Sequence, residues 1–223
     1  MSFGGNPTAW LDLIDSQVPD ILRLILSTWD EMPSLSPDAL EDSTTEALCR
    51  ALRKNRTSAS LPFRIDIQIV ELDPAAGQDQ GRMDITFSPM IPHEAFYFCL
   101  ECKRLNVTNH GRRRTLGTEY VTQGMFRFVA RQYGDQVRHG GMLGYVLDSR
   151  VDLAITAVQT AIRARREDLK IAGEGDLRQS SFLPEMEHVF ETAHIRDEAT
   201  SQFLLQHIFA PANLPKWPVR TVP

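Results

Sequence analysis

A mixed α/β domain, with helices flanking a central sheet, is the fold class this sequence predicts. Three segments between residues 63 and 105 alternate apolar and polar side chains, the period of a half-buried strand. Helical patterns precede these segments and then interleave with later strands. The order is helix, three strands, helix, strand, helix, two strands. Composition agrees with that class. The 223 residues are 42% hydrophobic and 24% charged, near the globular average, which excludes a disordered or fibrous chain. The length predicts one domain with terminal extensions: a helical arm over 1–35, the domain over 36–210 and a proline-rich tail over 211–223.

Each element has its own local reason. Residues 10–31 carry Leu, Ile and Val at helical spacing and predict one or two short helices broken near Pro19. Ser36 as cap and Pro37 at the first helical position predict the next helix, running to about Asn55. On it Glu41 and Thr45 share the stripe of Leu48 and Leu52, whereas Glu46 sits with Arg50 and Arg53 on the opposite side. Strands are expected over 63–72, 82–88 and 95–105. The third is aromatic on both faces and therefore central. Residues 106–117, polar and containing Arg112, Arg113 and Arg114, predict an exposed loop. A helix over 119–133, a buried strand over 142–147, a helix over 151–167 and strands over 188–196 and 201–209 complete the domain.

Charge and cysteine usage narrow the function. Lys and Arg number 24 against 29 Asp and Glu, a net charge of −5. This excludes a protein that holds nucleic acid by overall charge alone, but not a local basic cleft. No run reaches the ~18 apolar residues of a membrane span. The first residues lack the pattern of a signal peptide. Three cysteines, Cys49, Cys99 and Cys102, suit a reducing cytosol, and a cytoplasmic location is expected.

The chemistry-bearing residues lie on the second and third strands. Alternation places Tyr97, Cys99, Glu101 and Lys103 on one face and Phe96, Phe98, Leu100 and Cys102 on the other. On the second strand Met83, Ile85 and Phe87 oppose Asp84, Thr86 and Ser88. If the apolar faces pair, Asp84, Glu101 and Lys103 converge. Two carboxylates and a lysine in an aromatic sheet are costly to bury without a task. Hard cations such as Mg²⁺ take carboxylate oxygens and can activate water beside a phosphate.

A helix acid, then Met83-Asp84, a 16-residue spacer and Glu101-Cys102-Lys103 resemble the PD-(D/E)XK nuclease superfamily, of restriction-endonuclease-like fold. The helix carrying Tyr120, Gln123 and Arg127 is similar to the one lining such sites. The resemblance spans roughly residues 38–209. It implies Mg²⁺-dependent hydrolysis of phosphodiesters, in DNA above all, with Mn²⁺ as a substitute cation. Asp84 and Glu101 would be metal ligands and Lys103 the water-facing lysine. Glu41 is the favoured helix acid and Glu46 the second choice. Met83 replaces the family's proline, which touches no metal.

Other residues have a plain reading beside a functional one. Cys99 and Cys102 face opposite ways on a strand and read as core thiols, not zinc ligands. Gln123, Arg127, Arg112, Arg113, Arg114, His194 and Arg196 are candidates for contact with nucleic acid, each against an ordinary surface or structural role; His188 shares the face of His194. Arg163, Arg165 and Arg166 at a helix end suit the dipole equally well. No DNA-reading module is recognisable, so target choice is expected to fall to a partner subunit or to DNA structure, and a homodimer is expected because two active sites are needed to cut both strands. The competing readings are a non-catalytic interaction subunit of the same fold and a hydrolase of other phosphate esters.

Overall fold

The computed structural model describes residues 7–72, 76–77, 80–90, 95–109, 111–173, 176–196 and 202–213. The connections between the strands expected over 63–72, 82–88 and 95–105 fall partly outside these residues, and the tail beyond 213 falls wholly outside.

Strands β1 (Phe63–Val70), β2 (Arg82–Pro89) and β3 (Phe98–Leu105) form an antiparallel meander. The segment expected as a plain loop after β3 instead folds into a separate two-stranded hairpin, β4 (Val107–Asn109) and β5 (Arg112–Arg114). The main sheet continues with β6 (His139–Val146), parallel to β3. Its far edge comprises the short β7 (Arg178–Gln179), β8 (Val189–His194) and β9 (Phe203–Pro211). There β9 runs parallel to β6, and β8 is antiparallel to both β9 and β7. The result is a seven-stranded mixed sheet of order β1-β2-β3-β6-β9-β8-β7.

Two helical layers cover the sheet. On one face lie α1 (Pro7–Glu31) and α2 (Glu41–Ser58), whose Leu48, Cys49 and Leu52 pack with Phe98, Leu100 and Cys102. On the other lies a composite helix: α3 (Gly117–Tyr120), a π-helical segment (Val121–Met125) and α4 (Phe126–Val129). Beside it runs α5 (Val151–Ala164). Cys99 packs on this second face with Tyr120, Val121, Met125 and Phe128, so the alternation expected along β3 from Tyr97 onward is present.

Three expectations need correction. Residues 7–31 form one helix straight through Pro19. They are no separate arm, since Ile14, Val18, Ile21, Leu22, Ile25 and Trp29 share the core beneath the sheet. A mid-helix proline costs about 3 kcal/mol, and burying six large side chains at about 1.5–3 kcal/mol each offsets it. Trp29 also stacks on Tyr145 with ring centroids 5.2 Å apart and donates to the Pro211 carbonyl at 3.0 Å. Second, α2 starts at Glu41 with no side-chain cap, so 37–38 form a turn and Ser36 bonds to Asp38 instead. Third, Met83 packs on the opposite face from Ile85 and Phe87. The change falls beside Gln68 of β1, whose φ of 54° is unusual for a non-glycine residue and which lies between the rungs Ile67↔Ile85 and Ile69↔Met83.

The approach of α3 to α5 is close enough to require glycine. A Cβ on Gly117 would lie 2.7 Å from the Ala157 carbonyl carbon and oxygen. Backbone cannot yield as a side-chain tip can. Gly117→Ala is therefore expected to cost about 1–3 kcal/mol, read as a lower midpoint in urea unfolding. An unchanged midpoint would contradict the crossing.

Candidate active site

The site begins as a gap in the sheet. Pairing of β2 with β3 stops at Ile85↔Leu100, while β3 stays paired with β6 as far as Leu105↔Val146. Beyond Leu100, the β2-facing edge of β3 thus has N–H groups with no strand paired to them among the described residues. Buried backbone donors must be satisfied, and two carboxylates do so. Asp84 Oδ2 accepts from the Cys102 N–H at 2.7 Å, and Glu41 Oε2 from the Arg104 N–H at 2.9 Å. Residues 102 and 104 share an edge because strand geometry repeats every two residues.

Glu101 and Lys103 stand at the same gap. Lys103 Nζ lies 2.8 Å from Glu101 Oε1 and 3.2 Å from Glu41 Oε1, and donates to the Cys102 carbonyl at 2.9 Å. It thus bridges the two layers, since Glu41 comes from α2 and Glu101 meets the composite helix. Arg127 of α4 reaches Glu101 Oε1 at 3.0 Å, and Tyr133 donates its hydroxyl to Glu101 Oε2. Arg127 also contacts the Tyr133 hydroxyl at 3.2 Å. Glu101 itself is fully buried.

The electrostatics favour a further cation. Three carboxylates face Lys103 and Arg127. Burial, and then the neighbouring Glu101 charge, push the Asp84 carboxyl up to about 7. Burial alone would lower the Lys103 ammonium's pKa, yet Glu101, Glu41 and Asp84 hold it above the ordinary lysine value. Lys103 is therefore a donor and a positive charge here, not a base. Edge capping does not explain the charge, because a neutral Asn at 84 would satisfy the Cys102 N–H equally well. The donor set of Asp84, Glu101 and Glu41 suits a hard divalent cation. Among the described residues, no three His, Cys, Asp or Glu side chains are already gathered around one point as ligands.

The remaining sequence candidates divide. Glu46 pairs with Arg50 at 3.0 Å on the solvent side of α2, so Glu41 is the helix acid that reaches the gap. Gln123 is exposed and lines a shallow groove of about 330 Å³ with Thr122, Phe126, Arg127, Ala130 and Gln132. Arg112, Arg113 and Arg114 are exposed on the β4–β5 hairpin, with Arg114 2.8 Å from Glu119 and Arg113 3.6 Å from Asp148. His194 and Arg196 are not placed for phosphate contact. His194 is fully buried. Arg196 donates to the carbonyls of Gly134 and Val137 at 2.7 and 2.6 Å and lies over the Phe203 ring. Cys99 and Cys102 are buried free thiols, pushed up by burial. Tyr133 escapes sequence reasoning altogether. The helix expected over 119–133 ends at Val129, so helical spacing does not set where the Tyr133 side chain points.

No protein family, curated protein or solved structure was found to match the chain.

Proposed function

We propose that this chain is a divalent-metal-dependent nuclease that hydrolyses phosphodiester bonds in DNA, on a restriction-endonuclease-like fold. The observation that carries the reading is the strand gap at which three carboxyl groups, Asp84, Glu101 and Glu41, meet Lys103 and Arg127. Asp84 and Glu101, joined by Glu41, are the residues to hold Mg²⁺ or Mn²⁺. When bound, such a cation supplies a water of lowered pKa and offsets charge on a phosphate. Lys103, kept protonated by its carboxylates, orients the attacking water or the phosphate by donation. The described residues include no helix long and apolar enough to cross a membrane. A role in defence or repair follows the family resemblance alone; a cytoplasmic location rests on the cysteine usage, and a homodimer or partner subunit on the want of a recognisable DNA-reading module.

One observation favours the second reading, a non-catalytic interaction subunit: both oxygens of Glu101 are already engaged. Incubation of the full chain with plasmid, single-stranded DNA and RNA, in Mg²⁺, Mn²⁺ or EDTA, separates the two. Metal-dependent cleavage of DNA is expected. Asp84→Asn, which keeps an acceptor for the Cys102 N–H, is expected to lower the rate about 10²–10³-fold. Absence of cleavage by the wild-type chain under every condition would reject the nuclease reading. Turnover of small phosphate esters alone would replace it.

A further inference from the structure

The clamp on Glu101 poses a physical question that the nuclease reading leaves open. A cation needs lone pairs of Glu101, and three donors occupy three of its roughly four acceptor sites, both of those on Oε1 included. Lys103 contacts Oε1 at 2.8 Å, Arg127 contacts the same oxygen at 3.0 Å, and Tyr133 takes Oε2. The three are not equally free to leave. The Tyr133 ring is fully buried and stands edge-on to Phe128, centroids 5.2 Å apart. The Lys103 side chain is only 12% exposed and has Glu41 and the Cys102 carbonyl as further partners. The Arg127 side chain is 36% exposed and borders the open groove with Gln123 and Phe126. It also sits just past the π-helical segment, whose wider turn sets the direction in which α4 presents its side chains.

We infer that Arg127 is an exchangeable counter-ion of Glu101: it holds the carboxylate while no divalent cation is bound, and turns to a substrate phosphate in the groove when a cation takes its place. This inference rests on the proposed nuclease reading. The chemistry is economical in charge. One positive group leaves Glu101 as another arrives, so the buried carboxylate is never left unpaired. The planar guanidinium suits both states, since it can serve a carboxylate and a phosphate with the same fork of donors. Arg127 is on this account a positioning residue for the metal site and a direct contact for the substrate.

The test is a pair of binding measurements on the full chain. Calorimetric titration with Mn²⁺ reads the first half of the exchange. Fluorescence anisotropy of a labelled single-stranded oligonucleotide, in Ca²⁺ to suppress turnover, reads the second. Arg127→Gln is expected to bind Mn²⁺ about fivefold more tightly, the weight of one partly exposed ion pair, and to bind the oligonucleotide several-fold more weakly. Arg127→Lys keeps the charge on a shorter fork-less stem. It is expected to lie between wild type and Arg127→Gln on both readouts, and it serves if the glutamine variant fails to fold. A merely structural role for Arg127 would weaken both ligands or neither. Mn²⁺ affinity unchanged or reduced in both variants, with wild type binding the metal, overturns the exchange and leaves the nuclease reading standing. A wild-type chain that binds no Mn²⁺ and cleaves nothing overturns both.

Discussion

Lys103→Ala is expected to abolish the proposed metal-dependent cleavage and, at the same time, to cost the fold about 3 kcal/mol. The two losses have one cause. Lys103 neutralises Glu101, which is fully buried, and Glu41. Its removal leaves three carboxylates around the gap with Arg127 as the remaining cation. Breaking a buried pair is costlier than never having had it, because the survivor stays desolvated. The expected result therefore differs from that of a lysine on an open strand face, whose loss would leave stability alone. A double variant separates the effects. Lys103→Met combined with Glu101→Gln removes the charges together and is expected to recover most of the stability while remaining inactive. Urea unfolding at pH 7 and plasmid cleavage in Mg²⁺ measure the two quantities. Full activity in purified Lys103→Ala would sink the site assignment. Unchanged stability would mean that Lys103 carries no buried charge balance.

The second large effect is acid unfolding through a pair of histidines under the composite helix. A line of hydrogen bonds runs through the core from Tyr120 to His207 Nδ1 (3.0 Å), from His207 Nε2 to Thr192 (2.8 Å), from Thr192 to His194 Nε2 (2.7 Å) and from His194 Nδ1 to the Leu169 carbonyl (2.7 Å). A carbonyl only accepts, so His194 Nδ1 carries the proton. Thr192 then donates to His194 Nε2 and accepts from His207, and Tyr120 donates to His207. Every member is satisfied with both imidazoles neutral. Burial pushes His194 down to about 4 and His207 to about 3, the latter helped by His194.

These depressed values set the direction of the pH effect. The unfolded chain takes up these protons as pH falls below about 6.5, and the folded chain does not. The stabilisation is complete above that pH and is lost on the way down to the folded values. Each group contributes a slope of about 1.4 kcal/mol per pH unit. By pH 4.5 the pair removes on the order of 5 kcal/mol, a large share of the roughly 5–15 kcal/mol of an ordinary domain. Thermal unfolding at pH 7.5, 6 and 4.5 is expected to show a steep fall. Exchanging both histidines for glutamine should lower stability at pH 7.5 and flatten the dependence. Asp84, held at about 7 in the folded chain, works in the opposite direction in both proteins, so a wild-type dependence no steeper than that of the double histidine variant would refute the neutral pair.

How much of the fold and site is legible in the sequence depends on how local each feature is. The two-residue alternation read in 82–88 and 95–105 marks Asp84, Glu101 and Lys103 as candidates without any knowledge of the fold, although in the structure it breaks at Met83. The helical stripe through Leu48 and Leu52 separates Glu41 from Glu46 for the same reason. Pro19 and Ser36 mislead, since both are local signals overruled by distant partners: the sheet beneath α1 and the gap that Glu41 caps. His194 looks like a surface contact because alternation cannot tell solvent from a second helical layer.

By itself, then, the sequence determined the α/β class, most of the strands and three of the residues that meet at the gap, Asp84, Glu101 and Lys103, because strand and helix periods are written into neighbouring residues. Only the tertiary structure decided that β2 parts from β3 after Leu100, that carboxylates fill the gap, that Tyr133 and Arg127 clamp Glu101, and that His194 and His207 are buried neutral. Each of those is a contact between residues far apart in the chain, set by packing and charge balance rather than by any local pattern.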